Sequence, residues 1–547
     1  MRLIELPEYH PKHHPTALTE QSPIEPAFDQ WRALLGEVDV FDSRAASEAY
    51  GANTSGVERR VAGALRIRNS DTLPAVMRIA RAHRVPVYPI STGRNWGYGS
   101  ALPAAEDCVV IDLSALQKIL HFDAKFGVVT VEPGVTQAML ADFLDEGGHP
   151  YMVPVTGAGP RCSLIGNALE RGYGFTPYAD HFSAITDLEA VLADGSVHRT
   201  MLREAGGEDL ARLYKWGLGP YTTGLFSQSG LGIVTRMSLM LAPRPECMKV
   251  CVISLNADTL LEPTVERVQT LLARLPGIIG GINLMNRHRV LAMAAPYPAD
   301  EVDSHGLIPR AVIERLGREY RVAPWTAYAT LYGTRGVVQA AEREIKAALR
   351  GVASRLVFIS PRSASMLDAA ASWLPSKTGI RRTAKVLTQA IEIALGRPNE
   401  LALPLAYWRN REVPSDRPLD PARDGCGLLW YAPLVPMRAS GVRSYVDMVQ
   451  RVTAAHGIEP LITFTSVNDK VFDSTVPLLF DRQNAKAGQA CYEALLSGGE
   501  ALGCFPYRFG IDSMKHLRAR LSASDVLHAR LRHGLDPENI LAPGRYL

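Results

Sequence analysis

The sequence predicts an α+β protein of two domains, and three observations carry that expectation. At 547 residues the chain is too long for one ordinary hydrophobic core. Its short apolar strands are interspersed with amphipathic helices, without the strict βαβ alternation of a doubly wound sheet. Its glycine-rich stretches crowd the first 245 residues and thin out beyond Leu241-Ala-Pro-Arg-Pro245, where longer amphipathic runs take over.

In chain order, Asp71 or Thr72 is expected to cap a helix carrying Val76, Met77 and Ile79. The strand Val85 to Ile90 runs straight into the loop Ser91-Thr-Gly-Arg-Asn-Trp-Gly-Tyr-Gly-Ser100, and strands follow at Cys108 to Leu113 and Gly127 to Val131. Thr136 caps the next helix. A second polar, glycine-rich stretch spans Val155 to Tyr178, before the strand Leu188 to Ala193 and its Asp194-Gly195 turn. A third runs from Ser227 to Thr235. Arg409 to Arg423, rich in proline and charge, reads as a long surface loop.

Composition removes several function classes. With 47% hydrophobic and 21% charged residues the chain is globular, and its net charge of +3, with no Lys/Arg run interleaved with aromatics, argues against nucleic-acid binding. Seven cysteines without a C-x-x-C pair fit reduced core thiols. No signal h-region or apolar run of ~20 residues is present, so the expected compartment is the cytoplasm, with no membrane association. His10, His13 and His14 lack supporting Cys or carboxylate ligands and read as a leader rather than a metal site.

A loop of small residues after a strand gathers backbone N–H groups into one concavity that suits a diphosphate. Ser91 to Ser100 has that character, and two further Gly/Asn/Ser stretches exceed what turns alone require. The G-x-G-x-x-G spacing of a nicotinamide site is absent from the first loop, so an extended dinucleotide other than NAD is expected.

Four segments in order, STGRNWGYGSALP, IGNALERGYGFTPYADHF, GLFSQSGLGIVT and DPENILAPGR, resemble the vanillyl-alcohol oxidase and 4-cresol dehydrogenase flavoproteins, eugenol hydroxylase among them. The resemblance covers nearly the whole chain. It implies an FAD-binding domain of two α+β subdomains (residues 1–245), a substrate-binding α+β cap (246–495) and a C-terminal segment (496–547) returning to the cofactor. It assigns Ser91, Thr92, Gly93, Arg94, Asn95, Gly97, Tyr98 and Ser100 to the FAD diphosphate. Ser163, Asn167 and Glu170 would lie along the cofactor, Gly232 and Ile233 towards the adenine, and Arg545 by the flavin ring. Tyr98, Tyr507 and Arg508 would surround a substrate phenol oxygen, with Trp430 and Thr463 lining the pocket. The implied chemistry is oxidation at the benzylic carbon of a 4-alkylphenol, 4-hydroxybenzylic alcohol or lignan-like phenol. Electrons would pass to oxygen or to a cytochrome c or cupredoxin, the latter case placing the enzyme in the periplasm, and a homodimer or larger assembly is implied.

The chain also departs from that pattern. Leu428 occupies the histidyl-tether position. Tyr407 lies one residue from the tyrosyl-tether register, so noncovalent FAD is the expectation and a link through Tyr407 the alternative. No carboxylate lies in Val155 to Arg161, and Phe472-Asp-Ser474 replaces an M-H-H segment, which leaves Asp473 either a relocated base or a strand-end surface residue. An oxidase of nonphenolic alcohols or sugar lactones, and a flavin-binding homologue without catalysis, are the competing readings.

Overall fold

The computed structural model describes residues 24–174, 176–372, 379–410, 413–520 and 526–546. The three leader histidines lie outside these residues, as do 411–412 of the proline-rich loop.

Three large sheets organise the described chain, beside a two-stranded pairing of Tyr151–Met152 with Ala242–Pro243. The first has four strands, in the order Val40–Phe41, Val61–Arg66, Cys108–Asp112, Val87–Ile90, with the last three mutually parallel. The helix Leu73–Ala82 buries Leu73, Val76, Met77 and Ala80, an i, i+3, i+4, i+7 stripe. The expected cap is displaced. The Asn69 side chain accepts from the Asp71 N–H and starts a short 3₁₀ turn, whereas Thr72 makes no side-chain cap.

The second sheet is antiparallel, with Ile119–Asp123, Val128–Val131, Ile233–Met240, Ile185–Val191 and Val197–Arg199 in that order. Against it lies Gln137–Glu146, capped as expected by the Thr136 hydroxyl. The chain end is stitched to the first sheet: Val87 N–H donates to Ile540 O at 2.8 Å and Ala542 N–H to Val87 O at 2.7 Å. Asp536, itself buried, holds that turn by accepting from the Ile540 and Leu541 N–H groups.

The third sheet has nine strands and begins at Cys247, just past the expected boundary near 245. Eight run in the order Arg355–Ile359, Cys247–Leu255, Trp325–Gly333, Ile279–Asn286, Thr463–Ser466, Val471–Asp481, Pro433–Pro436, Phe505–Pro506, and the ninth, Cys426–Tyr431, pairs off this path with Val471–Asp481. The eleven-residue strand Val471–Asp481 changes partners along its length, meeting Pro433–Pro436 first and Cys426–Tyr431 later. Asp473 sits in the first half, opposite Thr465 on one side and Leu434 on the other.

Two expectations need correction here. A boundary at 495/496 cuts the helix Ala485–Ala501, and Phe505–Pro506 still pairs with Pro433 and Leu434, so the return of the chain towards the first sheet begins beyond Pro506. The Arg409 to Arg423 segment is not wholly at the surface, because Leu419 and Ala422 are buried and Asp420 pairs with Arg94.

Candidate active site

The loop after Val87–Ile90 is tightly wound. Gly93, Gly97 and Gly99 have φ of +66°, +76° and +120°, and Ser100 joins them at +55°. Glycine is required at 97 for a second reason: a Cβ there would lie 2.2 Å from the Trp430 indole. The Gly97 N–H donates to Thr54 Oγ1, and both the Tyr98 and Ser100 N–H groups to Asn95 O. Among the described residues the backbone N–H groups of Thr92 to Asn95 take no acceptor, and no acidic side chain belongs to the loop. That donor set fits a diphosphate. Arg94 is paired with Asp420 at 3.1 Å, and Ser91 Oγ lies against Gly166, in contact with the second glycine stretch.

Tyr98 leaves this loop buried, with the Arg508 guanidinium 4.2 Å above its ring centroid. Arg508 comes from the segment after Phe505–Pro506, so the last strand of the large sheet aims it at the first loop. The two segments are joined by the Ile511 N–H donating to Tyr98 O at 3.0 Å. Tyr507 is partly buried, and its ring meets that of Tyr173 at 5.2 Å. Burial pushes both Tyr98 and Tyr507 phenols up from their ordinary range. At Tyr98 the Arg508 charge and a hydrogen bond with Tyr507 pull the other way. Two neutral phenols beside a fixed guanidinium form an arrangement of donors suited to an anionic oxygen.

Glu170 organises the cations. Arg508 Nε donates to its Oε2 at 3.1 Å, Arg545 pairs with its Oε1, and Tyr546 OH reaches Oε2 at 3.5 Å. Arg508 also donates to the Asn95 side-chain oxygen. The pairing of Arg545 with Glu170, and its bonds to Ser229 O and Tyr88 OH, fix it near the same carboxylate.

Asp473 is buried, which removes the surface alternative. Its Oδ1 has no hydrogen-bond partner among the described residues. Burial raises its carboxyl to about 7 against the opposing charge of Arg508. Thr463, buried on the neighbouring strand, likewise has an unpartnered Oγ1.

Other expected residues are engaged in building the site. Ser163 caps the helix Leu164–Leu169 and donates to Pro133 O, and Asn167 bonds the buried His181 at 2.6 Å. The Ile233 side chain is packed in the core, and Gly232 lies against Phe226, so what these two offer a ligand is backbone. Tyr407 is sealed in an apolar cluster, its OH donating to Asp424 Oδ2 at 2.5 Å, with burial and that carboxylate both pushing its phenol up. Leu428 is buried in the same cluster.

Sequence reading passed over four contributors. Tyr173 sits in a Gly-Tyr-Gly that repeats the Gly97-Tyr-Gly99 pattern, a visible signal. Gln228 donates to Tyr507 O at 2.9 Å from a left-handed backbone position, φ +47°. Tyr88 and Tyr546 hold the Arg545 side of the centre, and nothing in local sequence marks them. Among the described residues no His/Cys/Asp/Glu group could hold a metal, and no helix is long and apolar enough to cross a membrane.

Comparison with known proteins shows the family and its cofactor. Residues 61–201 match the FAD binding domain family. The chain is 33% identical to 1'-carboxy-chondrochloren decarboxylase of Chondromyces crocatus, over 96% of this chain and 97% of that protein. It is 27% identical to the 4-cresol dehydrogenase [hydroxylating] flavoprotein subunit of Pseudomonas putida, over 96% of each. The crystal structure of p-cresol methylhydroxylase with substrate bound superposes with a TM-score of 0.85 at 26% identity, covering 97% of this chain and 98% of that one. FAD is thus the cofactor, and the chain belongs to the vanillyl-alcohol oxidase and 4-cresol dehydrogenase family of FAD-dependent oxidoreductases.

Proposed function

We propose that this enzyme oxidises the benzylic carbon of a para-substituted phenol bound as its phenolate between Tyr98, Tyr507 and Arg508. The observation that carries the reading is the Arg508 guanidinium stacked over Tyr98, beside Tyr507, in a buried site. Such donors stabilise a phenolate over the phenol, whose ordinary pKa is near ~10. Electron density pushed to the para carbon lets a hydride leave as a neutral quinone methide forms, rather than a benzylic cation. FAD, when bound, accepts that hydride.

The surrounding residues keep this centre in place. Glu170 orients Arg508, and Asn95 ties the guanidinium back to the diphosphate loop. Asp473, ionised above about pH 7, accepts a proton from water attacking the quinone methide, or from the substrate chain when dehydrogenation follows. Trp430, held against Gly97, forms a wall of the pocket, and Thr463 offers it a hydroxyl. A sugar or simple alcohol would leave the clamp unmatched, and this favours phenols over the nonphenolic reading. The electron acceptor is proposed to be oxygen or a cytochrome c or cupredoxin, and the assembly a homo-oligomer, as its family resemblance implies.

Anaerobic mixing of the holoenzyme with 4-ethylphenol or eugenol tests the proposal. Bleaching of the flavin absorbance is expected. Absence of bleaching with any para-substituted phenol overturns it.

A further inference from the structure

Arg289 has no part in the clamp and no side-chain partner among the described residues. It lies on the helix Arg287–Ala294, and its Nε and Nη1 are shielded from solvent without a hydrogen bond among the described residues. Among the described residues no acidic side chain offsets its charge, and burial draws its pKa down to about 10. The residue as a whole still keeps some accessible surface. A buried, unpaired guanidinium is costly, and a fold that keeps one leaves it available to an anion.

The helix is fixed beside the proposed pocket. The Asn286 side chain caps it by accepting from the Arg289 N–H at 3.0 Å, donates to Pro460 O at 2.6 Å and accepts from the Ile462 N–H at 3.1 Å. Those bonds tie the start of the helix to the residues just before Thr463. Further along, Leu291 and Ala292 belong to the apolar cluster that holds Trp96 and Tyr407 and packs against Trp430. Arg287 points elsewhere, its guanidinium against Gly317 of the helix Arg310–Glu319. Two residues on, at ~100° per residue, Arg289 leaves the opposite side of its helix.

We propose that Arg289 binds a carboxylate on the para side chain of the phenolic substrate, so that the enzyme selects phenols with an anionic tail. The proposal rests on the phenol reading above and specifies its substrate class. The Tyr98, Tyr507 and Arg508 clamp takes the phenolate end, and a second guanidinium from the helix beside Thr463 and Trp430 takes the other. A carboxylate answers the planar fork of an arginine with two parallel hydrogen bonds, which neither an alkyl chain nor an ester can do.

The test compares 3-(4-hydroxyphenyl)propionate with its methyl ester, following perturbation of the flavin spectrum and anaerobic reduction of the holoenzyme. The wild type is expected to bind the acid about 10–100-fold more tightly than the ester. In Arg289→Met that ratio is expected to fall towards one, with Arg289→Lys in between, while FAD content stays stoichiometric. Equal affinity of the wild type for acid and ester overturns the proposal, and this arm needs no variant to fold. Loss of FAD from a folded Arg289→Met also overturns it, because the anion is then the cofactor's phosphate. If neither compound perturbs nor reduces the flavin while 4-ethylphenol does, the tail assignment alone fails. If no phenol acts at all, the phenol reading fails and the proposal with it.

Discussion

In the loop Ser91 to Ser100 the contacts that set its shape are mostly local: Asn95 accepts from Tyr98 and Ser100, and three glycines supply the left-handed turns. Around Arg508 the partners come from distant parts of the chain, with Asn95 and Tyr98 on the first loop, Glu170 after the helix Leu164–Leu169 and Asp473 on the third sheet. The loop can form from its own sequence once a strand precedes it. The charged centre exists only when all three layers have closed. The difference teaches where each can fail: a change in the loop acts through backbone geometry and FAD retention, whereas a change in the centre acts through charge and proton position.

The strongest way to separate the two is Arg508→Ala. It is expected to lower kcat for phenols by about 10²–10³-fold, the cost of removing one fixed donor from a buried anion site, while FAD content stays unchanged. Measuring turnover beside the flavin-to-protein absorbance ratio checks both halves. A parallel loss of FAD would show that loop and centre are not separable, since Arg508 also donates to Asn95.

Asp473→Asn sharpens the proton side. The folded carboxyl titrates at about 7, above its ordinary value, so it is protonated below that pH and a competent base only above it. The rate of product formation in the wild type is expected to rise with pH through about 7 and then level, and the Asn variant to lose that limb and about 10²-fold of the plateau. Stability moves the opposite way. A raised carboxyl pKa contributes stability fully below about pH 4, and that contribution is lost as pH rises through about 7. The wild-type Tm should therefore fall across that window relative to the variant, and a variant less stable at pH 8 would refute the assignment of a buried, unpartnered carboxylate.

Gly97→Ala probes the loop itself. The added methyl meets the Trp430 indole at 2.2 Å in a backbone with φ +76°, and about 2–4 kcal/mol of destabilisation is expected from crowding and handedness together. FAD retention should suffer more than the pH dependence of turnover. Thermal melting with and without added FAD measures the split.

What was readable in the sequence follows the same division. The glycine loop, the strand before it and the Thr136 cap are local patterns, and the structure shows each of them. Tyr98, Tyr507 and Arg508 were legible through resemblance, and the fold brings them together. The Asp71 or Thr72 cap was misplaced because Asn69 offers a competing side-chain acceptor two residues earlier. The burial of Asp473 was not legible, since a strand-end aspartate looks the same whether its sheet edge is open or, as here, paired on both sides. The Glu170 pairing with Arg508 and Arg545 spans 338 residues in the first case, and no local pattern encodes such a distance.

The smallest expected effect concerns Tyr407, which shares an apolar cluster with Trp96 of the loop. Its phenol is bonded to Asp424, which also pairs with Arg417, and burial together with that carboxylate disfavours the phenolate that a covalent tether to FAD would need. Tyr407→Phe should thus cost about 1 kcal/mol for the lost hydrogen bond and leave the flavin bound. Acid precipitation of the wild type is expected to release yellow FAD into the supernatant, and the variant to behave the same way. Colour retained in the wild-type pellet and released from the variant would make Tyr407 a tether. It would also show that the sealed cluster around Tyr407 opens to the cofactor during maturation, because a tether cannot form while the hydroxyl is held by Asp424.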